Sequence, residues 1–266
     1  MSLVFAAIAP HPPLLIPSIG KQAVKKIEKT QKAYEQLEQD LYLSRPEILI
    51  VISPHGSHFS DAFTLNVAHE FQTDLREFGD LSTKLKFQGE MNLSSYIRES
   101  GKEQKFPMGM ISETNLDHGT SVPLFFLTRH LADLKLMQLG FSDLDWKTHV
   151  DFGVMIKEKV LETNKRVAIV ASADLSHALI TEAPAGFNKA GAEFDKKIQE
   201  FLAHNNLAGM LQLDKKLVKD AAECGFRSIL ILMGILQGIH NIYKQYAYEA
   251  PFGVGYLTAN FALSEG

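Results

Sequence analysis

Cysteine, charge of one sign and long apolar runs are all scarce in this chain. The single cysteine, Cys224, leaves no internal disulfide framework and fits a reducing compartment. Lys and Arg number 27 against 31 Asp and Glu, a formal net charge of -4, and no basic cluster stands out. Neither a nucleic-acid groove nor an anionic membrane surface therefore has an electrostatic footprint to meet. The longest apolar stretch, Ile229 to Ile239, is the length of a core helix and falls short of a bilayer span. Met1-Ser2-Leu3-Val4-Phe5 lacks the positive n-region of a secretory signal, so a cytoplasmic location is expected. There is no Gly-x-Ser-x-Gly elbow, Walker motif or Gly-x-Gly-x-x-Gly fingerprint, which argues against a serine hydrolase and against nucleotide cofactors. Repeats, low-complexity tracts and linkers are also missing. With 266 residues and 45% apolar content, one domain over 1–266 with a sizeable core is the economical reading.

What is present begins with buried strands. Pro46-Glu47-Ile48-Leu49-Ile50-Val51-Ile52-Ser53-Pro54-His55-Gly56 is a short β-branched run closed by Pro and Gly, the pattern of a strand covered on both faces. Leu3–Ala9 and Arg166–Ala171 read the same way. A charged stretch from Gln22 to Leu43, with apolar residues at helical spacing, reads as an amphipathic helix between the first two strands. Strand, helix, strand is a βαβ unit, right-handed with parallel strands. Further strands are expected at Ala62–Ala68, Leu134–Phe141, Tyr243–Tyr248 and Leu257–Leu263. Helices are expected at Leu93–Ser100, from Val122, at His149–Glu162, Ala190–His204, Asn206–Leu211 and Asp220–Gln237. The polar stretch from His69 to Phe87 reads as a loop-rich excursion and a candidate lid. The fold class expected is α/β, a single domain with a mixed, mostly parallel central sheet flanked by helices.

In open α/β sheets, ligands sit outside the carboxyl ends of the strands. Three strands expected to be parallel end at His11, His55 and His177, and His118 stands on a Gly-containing turn. Converging neutral imidazoles are what a transition-metal site needs. Each histidine taken singly is better explained as bonding its own loop; the shared strand-end context is what favours a site. A carboxylate commonly completes such a site. Glu223 stands out, lying among Ala221, Ala222, Cys224 and Gly225 just before an apolar run. A buried carboxylate must be paired, hydrogen-bonded or bound to a cation. A salt bridge to Arg227, four residues on, explains Glu223 equally well. The apolar surroundings of Cys224 would raise its pKa and make it a poor nucleophile. Asp117 and Asp174 could orient neighbouring histidines or bond loop amides, the latter being the default reading.

Pro10-His11-Pro12-Pro13, Ser53-Pro54-His55-Gly56, Asp117-His118-Gly119, Ser172-Ala173-Asp174-Leu175-Ser176-His177, Glu223-Cys224-Gly225-Phe226-Arg227 and Pro251-Phe252-Gly253-Val254-Gly255-Tyr256 follow one another in this order. Together they resemble the class III extradiol ring-cleavage dioxygenases, and in particular the catalytic B-subunit-like (LigB-like) members. The same superfamily includes the Memo proteins. The resemblance spans nearly the whole chain and implies a LigB-like fold with Fe(II), or alternatively Zn(II), as cofactor. It implies His11, His55 and Glu223 as metal ligands, His177 as the acid–base residue and His118 as a second active-site histidine near the substrate. In Memo-like members a cysteine holds the third ligand position, which here would be Cys224. The implied partners are a small aromatic diol and O2, with a homo-oligomer and a small partner subunit as assembly states. A Memo-like metal-binding or regulatory protein without ring cleavage is the alternative function.

Overall fold

A computed structural model describes residues 2–264. From the amino end, β1 (Leu3–Ala9) passes through a short 3-10 turn to α1 (Pro17–Gly20). A 3-10 segment over Lys21–Ile27 then enters α2 (Glu28–Ser44), followed by β2 (Ile48–Ser53). An excursion follows, with β3 (Phe63–Asn66), β4 (Glu70–Thr73), β5 (Lys86–Gly89), α3 (Met91–Glu103), β6 (Met108–Ile111) and β7 (Asn115–Leu116). The chain returns through α4 (His118–Leu127), β8 (Lys135–Gly140), α5 (Trp146–Glu162) and β9 (Val167–Ser172). Helices α6 (Lys189–Ala203), α7 (Leu207–Leu211), α8 (Lys215–Ala221) and α9 (Phe226–Leu236) precede the closing strands β10 (Asn241–Glu249) and β11 (Tyr256–Leu263).

The strands share one sheet in the order β10-β11-β1-β9-β2-β8-β5-β4-β7, with β3 also on β8 and β6 on β3. β1, β9, β2 and β8 run parallel in the centre. β11 pairs antiparallel with β1, and β10 with β11. The mixed, mostly parallel α/β sheet expected from the sequence is the fold observed. Its central strands are apolar throughout because both faces are covered. Alternation along β2 shows how: Ile48, Ile50 and Ile52 face the helices α3, α5, α6, α8 and α9, while Leu49 and Val51 face α2 and α4. The helices α5 and α9 approach backbone to backbone. A Cβ at Gly153 would overlap the Ile231 carbonyl, and one at Gly234 the Val150 carbonyl. That contact seats α9 firmly against the sheet, with its amino end at the sheet's carboxyl edge.

Three local expectations change. The helix expected from Gln22 starts at Glu28, because its first turns are 3-10. The His69–Phe87 stretch contains β4 and the start of β5, which pair antiparallel; β5 then docks on β8, so sheet pairing overrides weak propensity. The span Asp220–Gln237 is not one helix. Ala222 takes the left-handed conformation (φ 51°), ending α8, and α9 begins only at Phe226. Among the described residues no helix is long and apolar enough to cross a membrane.

Candidate metal centre and active-site cleft

Parallel register carries β1, β2 and β9 to the same edge, where Pro10-His11, Pro54-His55 and Ala173-Asp174 leave the sheet. His11 is held on all sides, at 1% exposure. Its backbone N–H donates to Asp174 Oδ1 at 2.8 Å. Its ring Nδ1 lies 2.8 Å from Ser172 Oγ, which in turn lies 2.5 Å from the Gly119 carbonyl.

This chain of contacts fixes a tautomer. A carbonyl can only accept, so the Ser172 hydroxyl donates to Gly119 O. Ser172 Oγ must then accept from His11 Nδ1–H, which leaves His11 Nε2 with a bare lone pair. The Gly119 carbonyl is free to accept because the residue four positions on is Pro123, inside α4 and without an N–H.

Around that lone pair other donors gather. His55 Nε2 is 3.0 Å away, Cys224 Sγ 3.4 Å and Asp174 Oδ2 3.8 Å. Ligands bonded at ~2.0–2.1 Å in a tetrahedral shell sit about 3.3 Å apart, so these spacings suit a shared cation. His118 joins them: donor nitrogens of His11, His55 and His118 all lie within 4.8 Å of one another. The His118 ring stacks on His55 with centroids 4.2 Å apart, and its Nδ1 is 3.6 Å from Glu77 Oε1. His118 is the first residue of α4, capped by Asp117, whose Oδ1 accepts from Thr120 N–H and from Ser53 Oγ. All the imidazoles are biased toward the neutral, metal-binding form. Desolvation and then the neighbouring His118 and His177 push His55 down to about 4, and burial holds His11 well below its ordinary value. Burial also lowers His118, against the pull of Asp117 and Glu77.

His177 sits half-buried on the loop after β9, close enough for its charge to bear on His11 and His55. Its backbone N–H donates to the Ala221 carbonyl at 3.1 Å, and its buried Nδ1 has no hydrogen-bond partner among the described residues. Burial lowers its pKa, against the carbonyls of Ala222 and Leu175.

Glu223, expected as the third ligand, is not in the imidazole group. Its Oε2 accepts the Phe226 N–H at 2.6 Å, at the start of α9. The expected pairing with Arg227 on one helical face does not form either, since Glu223 precedes the helix; the Arg227 guanidinium lies over the Phe141 ring. Burial raises Glu223 to about 7, opposed by the Phe226 N–H and the Arg227 charge. The adjacent Cys224 is the member of this turn that reaches His11, and burial keeps its thiol protonated.

Beside His55 opens a cleft of about 580 Å3, lined by Arg76, Glu77, Glu113, Asn115 and Gln138 among others. Asp74 and Arg76 pair with each other at its rim. The excursion read as a candidate lid thus supplies one wall of the cleft. Sequence reasoning missed Ser172 as a partner of His11, although it lies in the quoted strand-end motif. Arg76 and Glu77 were not separable from an ordinary polar loop.

Residues 5–259 match the family described as the catalytic LigB subunit of aromatic ring-opening dioxygenase. The chain belongs to this family. It is 32% identical over 265 residues to Protein CA_C1420 of Clostridium acetobutylicum, an alignment covering 96% of this chain and 57% of the relative. The chain therefore spans little more than half of that protein's length. It is 22% identical over 253 residues to the 2-aminophenol 1,6-dioxygenase beta subunit of a Pseudomonas species, covering 82% of this chain and 80% of that one. It is also 25% identical over 118 residues to a MEMO1 family protein of Methanosarcina mazei, covering 44% and 41%. A crystal structure of uncharacterized protein JW3007 from Escherichia coli K12 shares the LigB-family fold, with a TM-score of 0.68 at 16% identity over 97% of this chain and 99% of that one.

Proposed function

We propose that this chain is a non-haem Fe(II)-dependent extradiol dioxygenase that opens the ring of a catechol-type substrate with O2. The observation that carries this reading is the relay from Gly119 O through Ser172 Oγ to His11 Nδ1. It presents an Nε2 lone pair to His55 and His118 at the carboxyl edge of a parallel sheet. Fixing the far ring nitrogen in this way is how proteins orient imidazole ligands.

His11 and His55 would hold the metal. As folded, His118 is the imidazole within reach as a third donor, and Cys224 borders the same space; Glu223 would have to leave the Phe226 N–H to take that place. When bound, Fe(II) would supply the chelation of both diol oxygens and the activation of O2. The chain's own residues do the rest. His177, neutral at pH 7 and with no hydrogen-bond partner for its Nδ1 among the described residues, takes a proton from a substrate hydroxyl and returns it to the ring-opened product; a pKa below the ordinary value keeps it available as a base. With His11 and His55 as the ligands and His118 free of the metal, the His118 ring, stacked on His55 and beside Glu77, would donate its one N–H to a substrate oxygen as charge develops there. The ring carbon–carbon bond beside the two hydroxyls breaks, and both oxygen atoms enter the product. The cleft beside His55 is the entry for the diol.

Anaerobic reconstitution with Fe(II), followed by a spectral screen of catechols in air for the yellow ring-opened product, tests the reading. His55→Ala is expected to lose both metal binding and turnover. No product from any catechol, with metal tightly retained, would favour the second reading: a Memo-like metal-binding protein without ring cleavage. The thiol of Cys224 beside His11 Nε2 supports that alternative, because a soft donor suits Zn(II) or copper as well as iron. A cytoplasmic location and a homo-oligomeric or two-subunit assembly belong to the same proposal.

A further inference from the structure

Asp195 takes no part in the steps above, yet it is a carboxylate at 1% exposure, projecting from α6 into the interior. No Lys or Arg pairs with it among the described residues. Its oxygens are filled by two neutral donors instead, the Ser176 N–H at 2.8 Å and the Tyr248 hydroxyl at 2.6 Å. Burial pushes it up to about 6, which still leaves it ionised at neutral pH. A buried carboxylate with no cationic partner carries a desolvation cost that an apolar residue of similar size would not. What it touches explains its place.

Ser176 immediately precedes His177. The Ser176 hydroxyl donates to the Ala221 carbonyl at 2.8 Å, and His177 N–H donates to the same carbonyl at 3.1 Å. Leu175 N–H donates to Gly255 O, and Gly255 N–H to Ser176 O, both at 2.8 Å. A Cβ at Gly255 would overlap Asp195 Oδ2, so the close approach of these two residues requires glycine there. The peptide units on both sides of Ser176 are thereby held by backbone groups of two other loops and by one side chain, Asp195, anchored on a helix. An acceptor-only group matches its two donors. Asparagine can keep the geometry, with its Oδ1 accepting from Ser176 N–H and its amide donating to a rotated Tyr248 hydroxyl.

We propose that Asp195 is a positioning residue that holds the 175–178 backbone, and through it the His177 ring, in the orientation needed for proton transfer. This rests on the reading of the chain as a ring-opening dioxygenase. The test compares wild type, Asp195→Ala and Asp195→Asn in three measurements: Zn(II) affinity, the His177 ring 1H–15N signals of the Zn(II) form, and kcat and KM on a catechol with Fe(II). In Asp195→Ala, Zn(II) affinity and KM are expected within about threefold of wild type, the His177 signals displaced, and kcat down tenfold or more. Asp195→Asn is expected to restore the signals and to bring kcat back within about threefold. The proposal is overturned if Asp195→Ala leaves the signals and kcat unchanged, if Zn(II) affinity falls in step with kcat, or if Asp195→Asn is as impaired as Asp195→Ala. Should the alanine variant fail to fold, Asp195→Leu, which keeps most of the side-chain volume but accepts from neither donor, takes its place in the same comparison. If wild type opens no catechol, the functional reading falls, and Asp195 is judged on the His177 signals alone: displaced by alanine and restored by asparagine, or not.

Discussion

Removing the Ser172 hydroxyl should separate metal affinity from fold stability. In Ser172→Ala, His11 Nδ1–H loses its acceptor and the Gly119 carbonyl its donor, both in a fully buried setting. Leaving a buried polar group unpaired costs about 1–3 kcal/mol. The ring has an escape: it can move its proton to Nε2 and donate to His55 Nε2, only 3.0 Å away. That rearrangement recovers part of the folding loss but consumes the lone pair that a metal needs. The metal-free variant is therefore expected to lose about 1–2 kcal/mol, a fall in Tm of roughly 2–8 °C for a chain of this size. Removing an outer-shell partner of a ligand typically costs 10–100-fold in metal affinity, or about 1.4–2.7 kcal/mol. A competition titration against a chromogenic chelator reads the Zn(II) affinity, and calorimetry of the metal-free proteins reads the Tm. If Ser172→Ala binds Zn(II) within twofold of wild type, the relay does not set the state of His11 and the argument from tautomers is wrong.

Three other measurements bear on separate parts of the structure. Because His55 is held down to about 4, and His11 and His118 are lowered as well, protons should begin to compete for the site only well below the ordinary histidine pKa. Asp174, 3.8 Å from His11 Nε2 and raised by burial to about 7, does titrate in this range, so the imidazoles are read in Asp174→Asn: there Zn(II) affinity should stay level from pH 7.5 to about pH 5.5, whereas a tenfold fall between pH 7 and 6 would contradict the depressed values. Gly153→Ala should destabilise the chain by about 1–3 kcal/mol in urea unfolding, since its Cβ would push α5 off the α9 backbone; an unchanged midpoint would show that the helices can part at little cost. Glu77 and Glu113 line the cleft, and the rim Arg76 is already paired with Asp74. A catechol with a carboxylate side chain should therefore show a KM several-fold above that of an uncharged analogue, a gap that Glu77→Gln narrows. Equal KM values at low salt would count against the cleft as the entry.

The strand-end histidines were legible because their signal is local: short apolar runs that stop abruptly, at Pro10, at Pro54 and at the polar turn around Asp174, leave little choice of element or edge. The surroundings of Glu223 were not. Glu223 and Arg227 are four apart, and a continuous helix would pair them; the break depends on Ala222 taking a positive φ, which nothing in alanine's chemistry announces. Cys224, set aside as a nucleophile but kept as the alternative to Glu223, is the side chain that this break turns toward His11. Ser172 was hidden for a related reason. Its role depends on Pro123 having no N–H, an absence in one helix that frees a carbonyl for a residue 53 positions away from Gly119. The β4 and β5 strands lacked a readable pattern because they are short, partly exposed and defined by pairing with neighbours. Asp174 was read as bonding a loop amide, and the amide it bonds is that of His11.

The contacts that define the candidate metal centre join residues far apart along the chain: His11 to His55 across 44 positions, to Asp174 across 163 and to Cys224 across 213. Such contacts are made late, after the chain has closed its largest loops. A metal ion thus has no partial site on which to nucleate folding and can recognise only the nearly finished molecule. Added Zn(II) should slow unfolding and leave the folding rate almost untouched, so that the ion protects a native chain without helping to make one.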